Sequence, residues 1–352
     1  LRNIIKEIKY EKNLNLKIYA GPAHNSNLFG NTDEELKKLG INKYYKFKIN
    51  YKSSQSTNIN FSKILENADK FIRHYKINCG IIMGDRYEML AISIALFNLN
   101  IPIFHLCGGS VTKGSLDNIY RYNISKMSNY HLVETKHHKL NLKRSGIKKN
   151  IYIVGAPALE NINKFKVNIN FFYKKFNIDR NGKKLIVSCF HPETNLSIKK
   201  NLANLKILIR FLISTKQNII FTYPNADTGY KNYINEIEKS FRRLTNIYLF
   251  KNLGMSNYYC FLENADLMIG NSSSGIIESA SFKIPCINVG NRQEGRFCPK
   301  NVLKTKFKFN NWQTKYIYAL SHTFKKKLKN LKNPYYKKNT SKNVINIMKN
   351  FL

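Results

Sequence analysis

The run MGDRYEML follows an apolar stretch and places Asp85 and Arg86 where a strand would end. A carboxylate there can move a proton or orient a sugar, and a neighbouring guanidinium can pair with phosphate. The same pair also suits a plain turn, with a helix-capping Asp beside a solvated Arg. A second group lies in GNSSSGIIES, after the apolar run DLMI. Gly270 and Gly275 allow close backbone approach to a ligand, and Ser272 and Ser273 add hydroxyl donors. A helix opening there would present free N–H groups and its positive dipole end to an anion such as phosphate. Glu278 would follow about two turns on, within reach of ribose hydroxyls. The bland alternative is an ordinary Ser-capped helix.

Three further loops carry similar residues. HLCGGSVTKGSLDN runs from His105 through Cys107 to Asp117, and its glycines suggest either a backbone shaped around a ligand or a plain βα loop. FHPET places His191 at another strand end, where a neutral imidazole can donate to a phosphate or sugar oxygen, although a lone histidine is more often structural. GNRQEGR clusters Arg292 and Arg296, as a phosphate clamp or a surface turn, and Asn225 follows the run IIFTYP. The six cysteines are scattered singly, without a CxxC pair or a Cys/His cluster. They read as reduced thiols, mostly in the core, and neither a metal nor a cofactor is expected. His137 and His138 lie in a polar stretch and read as surface residues.

These residues need elements that hold them. Short apolar runs at 16–21, 79–85, 101–109, 130–135, 151–157, 184–192, 218–225, 246–250, 266–273 and 285–290 read as buried parallel strands. Amphipathic stretches between them, such as 61–75 and 199–215, read as helices. The alternation predicts an α/β protein with two Rossmann-like, doubly wound parallel-sheet domains. The first domain spans 1–165, the second 166–335, and a terminal helix 336–352. Ligands of such sheets bind beyond the carboxyl ends of the strands, and two domains facing each other would make one interdomain cleft.

At 352 residues the chain can bury two cores, and 43% hydrophobic residues argue against wholesale disorder. No apolar run approaches the ~20 residues of a membrane span, and the amphipathic start LRNIIKEIKY is unlike a signal peptide. The expected location is the cytoplasm. The net charge of +38 is extreme. It reads either as a polyanion-binding device or as compositional drift, and the even spread of lysines favours drift. Neither nucleic acid nor a membrane is expected as a partner, although a positive field would help gather a small, doubly charged anionic ligand.

In order and spacing, MGDRYEML, GSLDN with Arg121 and SKMS, VGAPALENI, TYPNAD, GNSSSGIIE and INVGNRQEGR resemble the hydrolysing UDP-N-acetylglucosamine 2-epimerases of sialic and related nonulosonic acid biosynthesis. The resemblance covers about residues 1 to 305. It implies a GT-B-like architecture, no metal, a homo-oligomer (dimer or tetramer), and conversion of UDP-GlcNAc and water to UDP and N-acetylmannosamine by elimination and then hydration. It further implies that Asp85 and Asp117 are catalytic acids and that His24 lies in the active site. Arg86 and Arg292 would contact the nucleotide, Arg121 matches a further family arginine, and His191 would face phosphate. Ser272 and Ser273 would bind the diphosphate and Glu278 the ribose.

The chain departs from that pattern in places. Cys107 stands where many relatives carry a catalytic Glu and some a His, and Ser110, Lys113 and Asn118 replace frequent acids. A thiol near its ordinary pKa of about 8.5 is a poor base at neutral pH. The chain opens at the family's first helix, without the first strand and its Arg-Ala-Asp-bearing loop. A fragment, a gene read from too late a start, and a degenerate nucleotide-sugar binder are therefore alternatives to the active enzyme. An epimerase acting on a GDP-linked sugar is another.

Overall fold

The apolar runs become short parallel strands in the computed structural model of the chain, which describes residues 1–21, 34–37, 39–46, 57–164, 168–225, 229–307 and 309–352. Those residues form two units. The first comprises Leu1–Ser110, Leu116–Glu160 and Tyr335–Leu352, and the second Val111–Ser115 and Asn161–Pro334.

In the first unit β1 (Tyr19–Ala20) and β2 (Tyr45–Lys46) pair in parallel. A separate parallel sheet holds β3 (Gly80–Met83), β4 (Ile103–Leu106), β5 (Tyr130–Val133) and β6 (Ile151–Ile153), in that order. The strands are short because each ends where a polar or Gly-containing loop begins. The helix Tyr87–Asn98 is apolar on several faces. It buries Ala91, Ile92, Ala95 and Leu96 beside Ile64, Ala68, Phe71 and Ile72 of the helix Thr57–His74. The small alanines let the two helices approach closely.

The terminal helix Thr340–Lys349 completes this unit. Val344, Ile345 and Met348 share one cluster with Ile4, Ile8, Phe104, Leu106 and Leu132. Thr340 Oγ1 donates to Val154 O (2.9 Å), and Ser341 Oγ to Glu160 Oε1 (2.6 Å).

The second unit holds β7 (Leu185–Cys189), β8 (Asn218–Thr222), β9 (Ile247–Phe250), β10 (Leu267–Gly270), β11 (Cys286–Val289) and β12 (Val302–Thr305). Their parallel order is β12-β11-β10-β7-β8-β9. Chain order reverses between β7 and β10, so the switch point lies at the ends of these two central strands. Both strands are buried throughout, as sheets covered on two faces require. Trp312 packs with Phe211 and Phe307 in the core of this unit.

All ten apolar runs contain a strand. β2 and β12 lie outside them: β2 is exposed at both residues, and β12 carries the exposed Lys304, so neither reads as apolar. His138 is a correction to the sequence reading. It is fully buried against Tyr335, because Thr135 caps the helix Lys136–Arg144 and turns His138 inward.

Met348→Ala empties a buried site on the terminal helix, so a loss of about 2–5 kcal/mol is expected. Native-state hydrogen exchange should show the amides of β4 and β5 losing protection while β7 and β8 keep theirs. Unchanged protection in β4 and β5 would contradict this packing.

Candidate active site

In the first unit three groups converge beyond β3 and β4. Gly84 has φ 91, a conformation that glycine adopts without strain, and it delivers Asp85 at the strand end. Asp85 is not the helix cap: Arg86 occupies that position, in extended conformation and without a side-chain cap bond. Arg86 instead forms a two-point contact with the buried Glu88, Nε to Oε2 at 3.2 Å and Nη2 to Oε1 at 3.3 Å.

The Asp85 carboxylate pairs with Nη2 of Arg121, whose side chain is 3% exposed. Nη1 of the same guanidinium donates to Ser110 O at 2.8 Å. Arg121 therefore ties the β3 loop to the β4 loop through one rigid, planar group. Asp117 opens the helix Asp117–Met127, one turn ahead of Arg121, where its negative charge suits the helix dipole.

His105, a polar residue inside the buried β4, supports this arrangement. Its Nε2 lies 2.9 Å from Gly84 O and its Nδ1 3.0 Å from Ser125 Oγ. A carbonyl can only accept, so Nε2 carries the proton and Nδ1 accepts from the hydroxyl. Burial holds this imidazole at about 4, despite the Gly84 bond that favours its charged form. His131, its register partner on β5, is held at about 4 by burial alone.

Cys107 has φ 65, the left-handed conformation. Burial, then the Glu134 and Asp85 carboxylates, push its thiol well above the usual range. His24 lies outside the described residues.

In the second unit the loops after β7 and β10 are joined by Asn271, which is fully buried. Its Oδ1 accepts from His191 N at 2.7 Å and its Nδ2 donates to His191 O at 2.8 Å. Its own carbonyl accepts from Arg292 Nη1 (3.2 Å) and Gln293 Nε2 (3.0 Å). Gly270 is required beneath it, since a Cβ there would collide with the carbonyl of Cys189.

His191 Nδ1 accepts from Asn225 N at 3.0 Å, so Nε2 carries the proton and points at Cys189 Sγ, 3.3 Å away. Burial, then the positive charge of Arg292, hold His191 well below its ordinary value. It is a neutral imidazole with both nitrogens engaged. Donation to a ligand would require Nε2 to leave the sulfur. Glu193 anchors the GNRQEGR loop by accepting from Asn291 N at 3.1 Å.

The Ser-rich turn is tighter than its sequence suggests. Its helix runs only over Ser274–Ile277, with Ser273 at the cap position, and a 3-10 turn follows Glu278. Gly275 packs inside it, buried beside Cys286. Ser272 Oγ accepts from Ser274 N at 3.4 Å. Ser274 Oγ donates to Glu278 Oε2 at 2.5 Å and lies 2.6 Å from the half-buried Tyr258 hydroxyl. Tyr259 also hydrogen-bonds Glu278. Burial raises the Glu278 carboxyl, and the Ser274 and Tyr259 bonds oppose it.

Sequence reasoning missed His105, Asn271, Glu193, Tyr258 and Tyr259. The available signals were a polar residue inside a buried run for His105, and an Asn directly after the strand-ending Gly for Asn271. Among the described residues no cluster of His, Cys, Asp or Glu could hold a metal ion, and no helix is long and apolar enough to cross a membrane.

A sequence profile of the UDP-N-acetylglucosamine 2-epimerase family matches residues 6–349. The GDP/UDP-N,N'-diacetylbacillosamine 2-epimerase (hydrolyzing) of Campylobacter jejuni is 36% identical over 323 residues, 86% of this chain and 80% of that protein. The UDP-N,N'-diacetylbacillosamine 2-epimerase (hydrolyzing) of Legionella pneumophila is 31% identical over 318 residues, covering 86% and 80%. Among solved structures, the UDP-GlcNAc 2-epimerase of Neisseria meningitidis bound to UDP-GlcNAc matches with a TM-score of 0.84 at 17% identity, covering 99% of this chain and 95% of that one. The chain thus has the GT-B-like α/β fold of these proteins.

His105 and His131 lie at about 4 and His191 well below 6.5, so the folded state keeps all three neutral while the unfolded chain protonates near 6.5. Stability is therefore complete above about pH 6.5 and is lost as pH falls toward 4, by at most about 1.4 kcal/mol per pH unit for each histidine. Glu193 and Glu278 are shifted upward and act in the opposite sense, from pH values nearer the carboxylate range. Calorimetry should show the melting temperature falling between pH 6.5 and 5. A flat profile there would contradict the buried neutral imidazoles.

Proposed function

The chain belongs to the hydrolysing UDP-N-acetylglucosamine 2-epimerase family, and on that premise we propose that it converts UDP-GlcNAc and water to UDP and N-acetylmannosamine. The reaction breaks the C1–O bond to UDP as C2 loses its proton, leaving a glycal. Water then adds at C1 while C2 regains a proton on the other face. Each step needs positioned acid–base groups.

Asp85 is one such group, and its fixed position supports the reading most directly. The Arg121 guanidinium and the His105–Gly84 bond hold the Asp85 loop at two points, so little reorganisation is needed at the moment of reaction. Asp117 and His24 share the acid–base work. Glu278, held by Ser274 and Tyr259, accepts from the ribose hydroxyls. Ser272, Ser273 and Arg292 face the diphosphate, Arg86 contacts the nucleotide, and His191 with Asn225 shapes the phosphate side. The product feeds sialic or nonulosonic acid synthesis in the cytoplasm, and the enzyme acts as a homo-oligomer.

A second reading replaces the sugar by N,N'-diacetylbacillosamine, on a UDP or GDP carrier. The names of the Campylobacter and Legionella relatives favour it. Nucleotide release measured with UDP-GlcNAc, UDP-N,N'-diacetylbacillosamine and its GDP counterpart separates the two. Release from UDP-GlcNAc at least as fast as from the others supports the first, and release from none, with UDP still bound, leaves only a nucleotide-sugar binder.

Glu278→Ala should weaken UDP by about 1.5–3 kcal/mol through lost charged hydrogen bonds, read by titration calorimetry. Asp85→Asn keeps an acceptor for Arg121, so UDP affinity should hold while turnover falls about 10²–10⁴-fold. Unchanged turnover in Asp85→Asn removes Asp85 from the chemistry.

A further inference from the structure

Three neighbouring parallel strands end on titratable side chains: Asp85 lies two residues past β3, Cys107 directly after β4, and Glu134 directly after β5. Cys107 is the middle one. It sits in the left-handed conformation at φ 65, which is disfavoured for a residue with a Cβ, and its N–H donates to Leu132 O at 3.1 Å, which sets its thiol beside the Glu134 carboxylate. Glu134 itself is buried, with Oε2 3.5 Å from Nδ1 of the buried His138, whereas Cys107 keeps part of its surface. A thiol that cannot ionise readily is a poor base alone. With a buried carboxylate behind it, the sulfur can pass a proton inward without becoming a thiolate.

We propose that Cys107 and Glu134 form a proton relay serving C2 of the sugar, with Glu134 as a positioning residue acting through Cys107. This rests on the epimerase reading above. As the C2–H bond breaks, its proton forms a new S–H bond and the old S–H proton moves to a Glu134 oxygen. The C–H electron pair becomes the C1–C2 double bond, and the C1–O pair leaves with UDP. After product departs, the proton returns outward through the sulfur. Because C2 inverts, the proton that comes back to the sugar arrives from a different group on the other face. The carboxylates of Asp85 and Glu134 face the thiol, and His138 faces Glu134.

Glu134→Gln and Cys107→Ala should each slow turnover roughly 100-fold, near the lower end of acid–base contributions, with KM and UDP affinity unchanged. If they serve one relay, the double variant is no slower than either single one, and Glu134→Asp recovers part of the rate. Losses that multiply in the double variant, or full turnover in Glu134→Gln, overturn the relay. A separate readout guards against failure of the epimerase reading itself. Alkylation of Cys107 by iodoacetamide at pH 8, followed by mass spectrometry of its peptide, should be faster in Glu134→Gln, because the opposing carboxylate is gone. Equal alkylation rates defeat the pairing. Absence of nucleotide release from the unmodified enzyme defeats the epimerase reading, and the alkylation rates then decide the pairing alone.

Discussion

Every parallel strand stops somewhere, and where it stops its ladder leaves backbone N–H and C=O groups that burial forbids to remain unpaired. In this protein side chains meet that demand. His105 donates to Gly84 O, Arg121 to Ser110 O, and Asn271 pairs with both the N–H and the C=O of His191. The loops they fix carry Asp85, Cys107, Ser272 and Arg292. The satisfaction of strand ends and the placement of reactive groups are thus one arrangement. Replacing the Asn271 side chain would free the N–H and C=O of His191, each lost bond costing about 1–3 kcal/mol, while Arg292 and Gln293 would keep their bonds to the main-chain carbonyl of residue 271.

The electrostatics follow from the same burial. A neutral imidazole can donate from one nitrogen and accept at the other, as those of His105 and His191 do, without the cost of a buried charge. The Arg121 guanidinium is buried, and the Asp85 carboxylate balances it. Losing that partner would leave an uncompensated cation, typically worth about 3–5 kcal/mol. An isosteric Asn keeps an acceptor for Arg121 but not the charge, so turnover in Asp85→Asn is read beside a melting curve of the same variant.

Much of this was legible in the sequence, for physical reasons. Strands covered on two faces must be continuously apolar, so the runs at β7 and β10 announce themselves, and glycine or charge at their ends marks the loops. Asp85, Glu278 and the Ser-rich turn were singled out on that ground. What stayed hidden depends on direction. His105 looks like any polar interruption of a strand until the register places it under Gly84. Tyr258 and Tyr259 belong to the helix Gly254–Asn264, and nothing in that helix says that it meets Ser274 and Glu278. His138 misled because polarity of the surrounding run says little about which face of a short helix turns inward. Glu134 escaped notice because an acid after an apolar run reads as solvated, and only its burial beside Cys107 gives it meaning.

The central claim is that a proton leaves C2 and another arrives there from solvent-exchangeable groups. Incubating the enzyme with UDP-GlcNAc in deuterium oxide and examining the released sugar by proton NMR tests it directly. The account predicts N-acetylmannosamine carrying deuterium at C2, formed in step with UDP. Release of UDP with an unlabelled sugar, or with C2 unchanged in configuration, would contradict it.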